Sequence, residues 1–195
     1  MTNINNNANV GNTTTKKNDL ANRQFFLNSN VTAEKLEDII LGILEINRQD
    51  DASSKSLLNF ERKPINFIID SYGGNVYDGL ALVSIIKNSK TPVHTYCYGK
   101  AMSMGLILFS VGHKRFTSKY ATIMQHQLSG GTIGKLNDMV EDVAQATRLQ
   151  EVLDDILVEH TKISRGKLLS LRNTKTDWYF DGAKAVELGV ADELI

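Results

Sequence analysis

The sequence contains one cysteine, Cys97, which excludes a disulfide within the chain and reads as a core residue in a reducing compartment. Charge of a dominant sign is missing too. With 22 basic and 22 acidic side chains the formal net charge is zero, so nothing draws the chain onto phosphate backbones or anionic lipid. This disfavours nucleic acid and membrane as partners and leaves polypeptides or small molecules. No run approaches the roughly 18 apolar residues of a spanning helix, and the first residues are polar rather than basic and then apolar. The expectation is a cytoplasmic protein. No His, Cys and carboxylate cluster has metal-ligand spacing, and no Gly-rich loop ends in Lys-Ser or Lys-Thr, so no metal and no organic cofactor is expected. There are only two prolines, Pro64 and Pro92, and each stands just before a short apolar run.

What remains is enough for one core: 195 residues, 42% of them hydrophobic. Residues 1–22 are rich in Asn and Thr and too poor in apolar side chains to offset the entropy of ordering them, so a disordered tail is expected there, with a single domain over 23–195. Phe25, Phe26 and Leu27 suggest a first strand. Leu36, Ile39, Ile40, Ile43 and Leu44 recur at helical spacing up to residue 47, with Thr32 as the cap. Residues 48–63 are polar, Ser-rich and unperiodic, and read as a long loop. A buried strand at 65–69 (INFII) leads through Ser71-Tyr72-Gly73-Gly74 into a helix carrying Val76, Leu80, Val83 and Ile86. The pattern repeats with a strand at 93–98 and a helix at 103–111 that is apolar on nearly all sides. Short strands are expected at 115–118 and 122–127, then a long amphipathic helix within 133–160 whose charges read as a solvated face. Alternating strands and helices imply repeated βαβ units and a mainly parallel sheet.

Two places stand out chemically, because each sets glycines where a buried strand gives way to a helix: residues 71–74, and 99–105 (GKAMSMG). Such junctions leave backbone N–H groups without helical partners, and amides of this kind hold a developing oxyanion without any charged side chain. A serine at the start of a buried helix has its hydroxyl aimed at whatever approaches those amides. The ordinary alternative is that Ser103 merely caps the helix and the glycines merely turn the chain.

The segment from Lys63 to Gly131 resembles the proteolytic subunit of the Clp protease, ClpP. That family's Ser-Pro-Gly-Gly turn, Gly-x-Ala-x-Ser-Met-Gly segment and Met-x-His-Gln segment match residues 71–74, 99–105 and 124–127. Downstream, the His160-Thr161 helix ending, Asp177-Trp178-Tyr179-Phe180 and the close at 185–192 extend the likeness to about residues 23–195. The resemblance implies an α/β fold of the ClpP/crotonase type: repeated βαβ units, a mainly parallel sheet and a long protruding handle helix. It implies a serine endopeptidase acting on unfolded proteins or peptides through an acyl-enzyme, with Ser103 as nucleophile, His126 as general base and Asp177 as the carboxylate that orients it. Gly74 and Met104 would supply the oxyanion-hole amides. An extended peptide would pair beside Asn75 and Val76 on one side and Leu128 and Ser129 on the other. The family also implies self-assembly into stacked heptameric rings and an AAA+ unfoldase partner. Tyr72 and Leu128 stand where it commonly has Pro, Thr176 where many members have Arg, and Asn66 and Ile68 where aromatic residues are frequent.

His94, His113 and His160 read as structural, and Asp70 as a turn cap. One alternative to an active peptidase is a catalytically silent or regulatory ring subunit, although such subunits usually lack a triad residue and all three are present. An acyl-CoA enzyme of the crotonase fold needs no such trio. An α/β-hydrolase has its acid before its His, whereas His126 precedes Asp177.

Overall fold

The structure, a computed structural model, describes residues 18–195. The part of the expected disordered tail that covers residues 1–17 lies outside the described residues. Residues 18–22 fold back on the first strand: Asp19 and Gln24 exchange backbone hydrogen bonds, and Asn18 Oδ1 accepts the Phe26 N–H.

Strand β1 (Gln24–Leu27) leads into helix α1 (Ala33–Ser56), then β2 (Ile65–Ile69), α2 (Val76–Lys87) and β3 (Val93–Cys97). These make two successive parallel βαβ units. The chain continues through β4 (Lys100–Met102), α3 (Met104–Ser110), β5 (Lys114–Thr117) and β6 (Thr122–Gln125). Helices α4 (Leu136–His160) and α5 (Arg165–Thr174), strand β7 (Trp178–Asp181), helix α6 (Gly182–Glu187) and strand β8 (Glu193–Leu194) complete it. Five strands form one parallel sheet in the order β1-β2-β3-β5-β8. A second sheet has the order β4-β6-β7, with β4 parallel and β7 antiparallel to β6. The mixed α/β, mostly parallel architecture agrees with the expected fold class. Helix α3 is buried along all seven residues, and Cys97 sits in the core beside it, where burial pushes its thiol up to about 12.

The polar stretch expected to be a loop over 48–63 is helical as far as Ser56. The buried stripe of α1 runs Leu36, Ile39, Ile43, Ile46, Asp50, in steps of three and four, so an aspartate takes the place where the pattern calls for another apolar residue. That carboxylate is satisfied from three directions. Arg23 grips it with two N–H groups at 2.5 and 2.8 Å, Thr91 Oγ1 donates at 2.7 Å, and Arg62 approaches to 4.0 Å. Arg62 also donates to Thr91 Oγ1 and pairs with Asp51. The periodicity continued, and only its hydrophobicity stopped. Two further departures are local. Residues 100–102 form a strand where only the junction between a strand and a helix was expected, and Asp154, expected on the solvated face of the long helix, is fully buried. The first half of α4 is solvent-exposed and projects from the body, while Leu149, Leu153, Ile156 and Leu157 seat its second half.

Because Asp50 is buried, removing it strands the Arg23 guanidinium, and Asp50→Ala should cost about 3 kcal/mol of folding stability in urea titrations. The hydrogen bonds from Arg23 are the main reason the Asp50 carboxyl is held below its ordinary range, against the opposing effect of burial. Its stabilisation is therefore fully present above about pH 4 and disappears as pH falls through the lowered folded value. The difference in stability between Asp50→Ala and the parent should shrink over that acidic window.

Candidate active site

Three features of the second sheet bring Ser103, His126 and Asp177 together. Ser103 directly follows β4, and its N–H donates to the Met124 carbonyl of β6 at 2.9 Å. His126 directly follows β6. In the antiparallel pairing of β6 with β7, Gln125 stands opposite Trp178, so the next pair outward is His126 and Asp177. Side chains from three separate parts of the chain are thus set side by side by backbone register alone.

Ser103 Oγ lies 2.8 Å from His126 Nε2. On the other side of the ring, His126 Nδ1 is 3.9 Å from Asp177 Oδ1, a charge contact longer than a hydrogen bond. The His126 side chain is 22% exposed and that of Asp177 56%, so the imidazole is half sheltered while the carboxylate faces solvent. A serine hydroxyl at this distance from a neutral imidazole can give up its proton to it, and a nearby carboxylate stabilises the imidazolium that results.

The capping alternative for Ser103 does not describe what its hydroxyl does. Ser103 occupies the N-cap position of α3 but makes no side-chain capping bond, and its φ of 52° and ψ of −124° lie where L-residues are strained. The turn at 71–74 is packed against it. Ser71 exchanges backbone bonds with β4 through Lys100 O and Met102 N, and its Oγ donates to Ser29 O at 2.6 Å while accepting the Gly73 N–H. A Cβ on Gly73, at φ 104°, would fall 2.7 Å from the Ser103 Cβ, so only glycine lets the turn approach this closely. Gly73 O and the Asn75 N–H are both bonded to the backbone of Val31. The N–H groups of Gly74 and Met104, between these anchored neighbours, donate to no acceptor among the described residues.

A cleft of about 230 Å³ opens over these groups. It is lined by Gly74, Val76, Ser103, Met104, His126, Leu128 and Ser129 of the sequence-derived residues, together with Tyr72, Ile107, Gln125 and Leu153. Asn75 is not among them. Its N–H goes to Val31 O, its carbonyl accepts from Gly79, and its side chain caps α2 by accepting the Asp78 N–H. Ile107 and Leu153 lie on helix faces that read simply as core, so nothing in their spacing distinguished them. The other titratable candidates are engaged elsewhere. Asp70 binds Lys100 through its Nζ at 2.9 Å and its N–H at 3.1 Å, and His113 Nδ1 accepts the Val93 N–H. His94 packs on Phe116, and burial lowers the pKa of both His94 and His160. Among the described residues no group of His, Cys and carboxylates is arranged to hold a metal, and no helix is long and apolar enough to cross a membrane.

The sequence matches the Clp protease family over residues 9–195. An ATP-dependent Clp protease proteolytic subunit of Deinococcus radiodurans is 30% identical over 178 residues, covering 90% of this chain and 81% of that one. Its counterpart in Dehalococcoides mccartyi is 31% identical over 178 residues, covering 90% and 83%. The chain belongs to the Clp protease family, and the likeness to the proteolytic subunit that its motifs suggested holds along almost its whole length.

The strain at Ser103 is separable from its chemistry. Ser103→Gly relieves the left-handed backbone, whereas Ser103→Ala keeps it. The glycine variant should be the more stable of the two by about 1 kcal/mol in urea titrations, after allowing for the greater freedom of glycine in the unfolded chain.

Proposed function

We propose that this chain is a serine endopeptidase that hydrolyses unfolded proteins or peptides through an acyl-enzyme. The observation that carries the reading is the strained, uncapping Ser103 with its hydroxyl 2.8 Å from an imidazole nitrogen, beside two uncommitted backbone amides. His126 takes the Ser103 proton as Oγ attacks the scissile carbonyl and returns it to the leaving amine, and water then repeats the cycle to release the acyl group. Asp177 holds the His126 tautomer and balances its positive charge. The N–H groups of Gly74 and Met104 receive the oxyanion, an arrangement in which loss of one donor typically slows turnover by about 10² to 10³. The substrate lies extended between Val76 on one side and Leu128 and Ser129 on the other. No cofactor takes part.

Family membership supports, beyond the chemistry, a self-compartmentalised homo-oligomer of stacked heptameric rings fed by an AAA+ unfoldase in the cytoplasm. The exposed apolar residues Leu136, Val140 and Val143 on the projecting half of α4 favour burial between copies.

Ser103→Ala should lower cleavage of a fluorogenic peptide by about 10⁴-fold or more and abolish labelling by a fluorophosphonate, with the circular dichroism spectrum unchanged. Labelling that persists in this variant removes Ser103 from the role. Asp177→Asn should retain the fold and reduce kcat by at least about 10²-fold. Native mass spectrometry of the parent checks the assembly, and a monomer that turns over nothing would favour a catalytically silent subunit.

A further inference from the structure

Behind the cleft, a buried amide joins the segment after His126 to helix α4. The Leu128 N–H donates to Gln150 Oε1 at 2.6 Å, and Gln150 Nε2 donates to Asp154 Oδ1 at 2.8 Å. Gln150 is 4% exposed and Asp154 is fully buried, one helical turn apart on the same face. A side-chain amide can present either its oxygen or its NH₂ to a given neighbour. Here the choice is made by Asp154. A carboxylate only accepts, so it draws the NH₂ toward itself and turns the oxygen toward Leu128. With the amide flipped, an N–H would confront the Leu128 N–H, and the Asp154 oxygen would face an acceptor.

Asp154 is in turn held by its surroundings. The other carboxylate oxygen makes no hydrogen bond and faces the Arg172 guanidinium of α5 at 3.4 Å. Arg172 is shared with Glu151 at 2.8 Å, and Arg165 of α5 also binds Glu151, at 3.1 Å. Burial raises the Asp154 carboxyl, opposed by the Gln150 hydrogen bond and by Arg172. A buried acid with one oxygen lacking a hydrogen bond is a costly arrangement to keep for packing alone, since an apolar pair at 150 and 154 would fill the same face.

The Leu128 N–H is thus committed to Gln150, while the N–H of Ser129, a residue that lines the cleft, donates to no acceptor among the described residues. We propose that Gln150, oriented by Asp154, is a positioning residue that fixes residues 127–129 from behind, so that the Ser129 backbone is presented to the substrate peptide. This rests on the peptidase reading above, in which that segment is one edge of the groove. It also depends on Leu128, because a proline there has no N–H to give.

The experiment compares the parent with Gln150→Met, which keeps the volume, in full-length protein. Amide hydrogen exchange over residues 127–131 should be faster in Gln150→Met, while exchange over the rest of α4 is unchanged. With a fluorogenic peptide, KM should rise about 3- to 10-fold, the worth of one hydrogen bond, with kcat altered less than about 2-fold. Leu128→Pro should remove the dependence: adding Gln150→Met to it should leave KM where Leu128→Pro alone puts it. Unchanged exchange at 127–131, or a KM effect of the same size in both backgrounds, overturns the proposal. If Gln150→Met does not fold, Asp154→Leu, which removes the acceptor that orients the Gln150 amide, replaces it, and unchanged exchange at 127–131 in that variant overturns the proposal equally. A parent that cleaves no peptide counts against the peptidase reading, and the exchange comparison still decides whether Gln150 holds this segment.

Discussion

Everything at the site depends on the register of β6 between its two neighbours. One strand of four residues delivers His126 at its end, accepts the Ser103 N–H through Met124, and fixes by antiparallel pairing which residue of β7 stands across from the imidazole. Because side chains alternate across a strand, a slip of one residue in either pairing would turn His126 away from Ser103 or set Thr176 in place of Asp177. The second sheet is therefore small for a reason that concerns chemistry more than stability: three strands suffice to set the geometry. The five-stranded parallel sheet holds the body to which they are attached.

The two sheets meet at the 71–74 turn, where packing and polarity are resolved by backbone groups and the Ser71 hydroxyl. Ser71 ties β2 to β4, Gly73 touches the Ser103 Cβ, and Val31 takes the hydrogen bonds on the far side of the turn. With their neighbours committed, Gly74 and Met104, which both line the cleft, are left with N–H groups that donate to no acceptor among the described residues. An uncommitted amide in buried surroundings is ordinarily a cost, and that of Met104, 2% exposed, directly follows a strained serine. Cost concentrated in this way is a mark of function.

How much of this was legible in the sequence differs by kind of feature. The parallel βαβ order could be read from 65–69, 76–87 and 93–97, because strands buried on both faces are continuous apolar runs and their helices keep a clean period. The end of α1 could not, because Asp50 interrupts the apolar stripe and its partners, Arg23, Thr91 and Arg62, are distant in the chain. Strand β4 escaped notice because three residues flanked by turn-forming Gly99 and Ser103 carry no period of their own, and pairing with β6 decides them. Ser103 and His126 were identified through the family resemblance at residues 99–105 and 124–127, and they are adjacent in space. Asn75 was carried along with the motif, yet its polar groups serve α2 and Val31. Gln150 and Asp154 were passed over because polar side chains four apart on a long charged helix ordinarily face water.

The looseness of the Asp177 contact has a physical reading in the same terms. At 3.9 Å from Nδ1 and more than half exposed, this carboxylate is held by the start of β7 and by little else, whereas Ser103 is tied through its N–H to Met124 and runs into the buried helix α3, and His126 directly follows the buried Gln125. A carboxylate screened by water attracts an imidazolium weakly, and the same pair with water excluded attracts it several times more strongly. Whatever covers Asp177, whether bound peptide or an adjoining copy of the chain, would tighten the contact by removing solvent from it. Around it, Lys167 lies over the indole ring of Trp178 and Lys175 takes the left-handed conformation that ends α5. Of the three side chains, Asp177 is thus the one whose attraction to the imidazole depends most on how much water surrounds it.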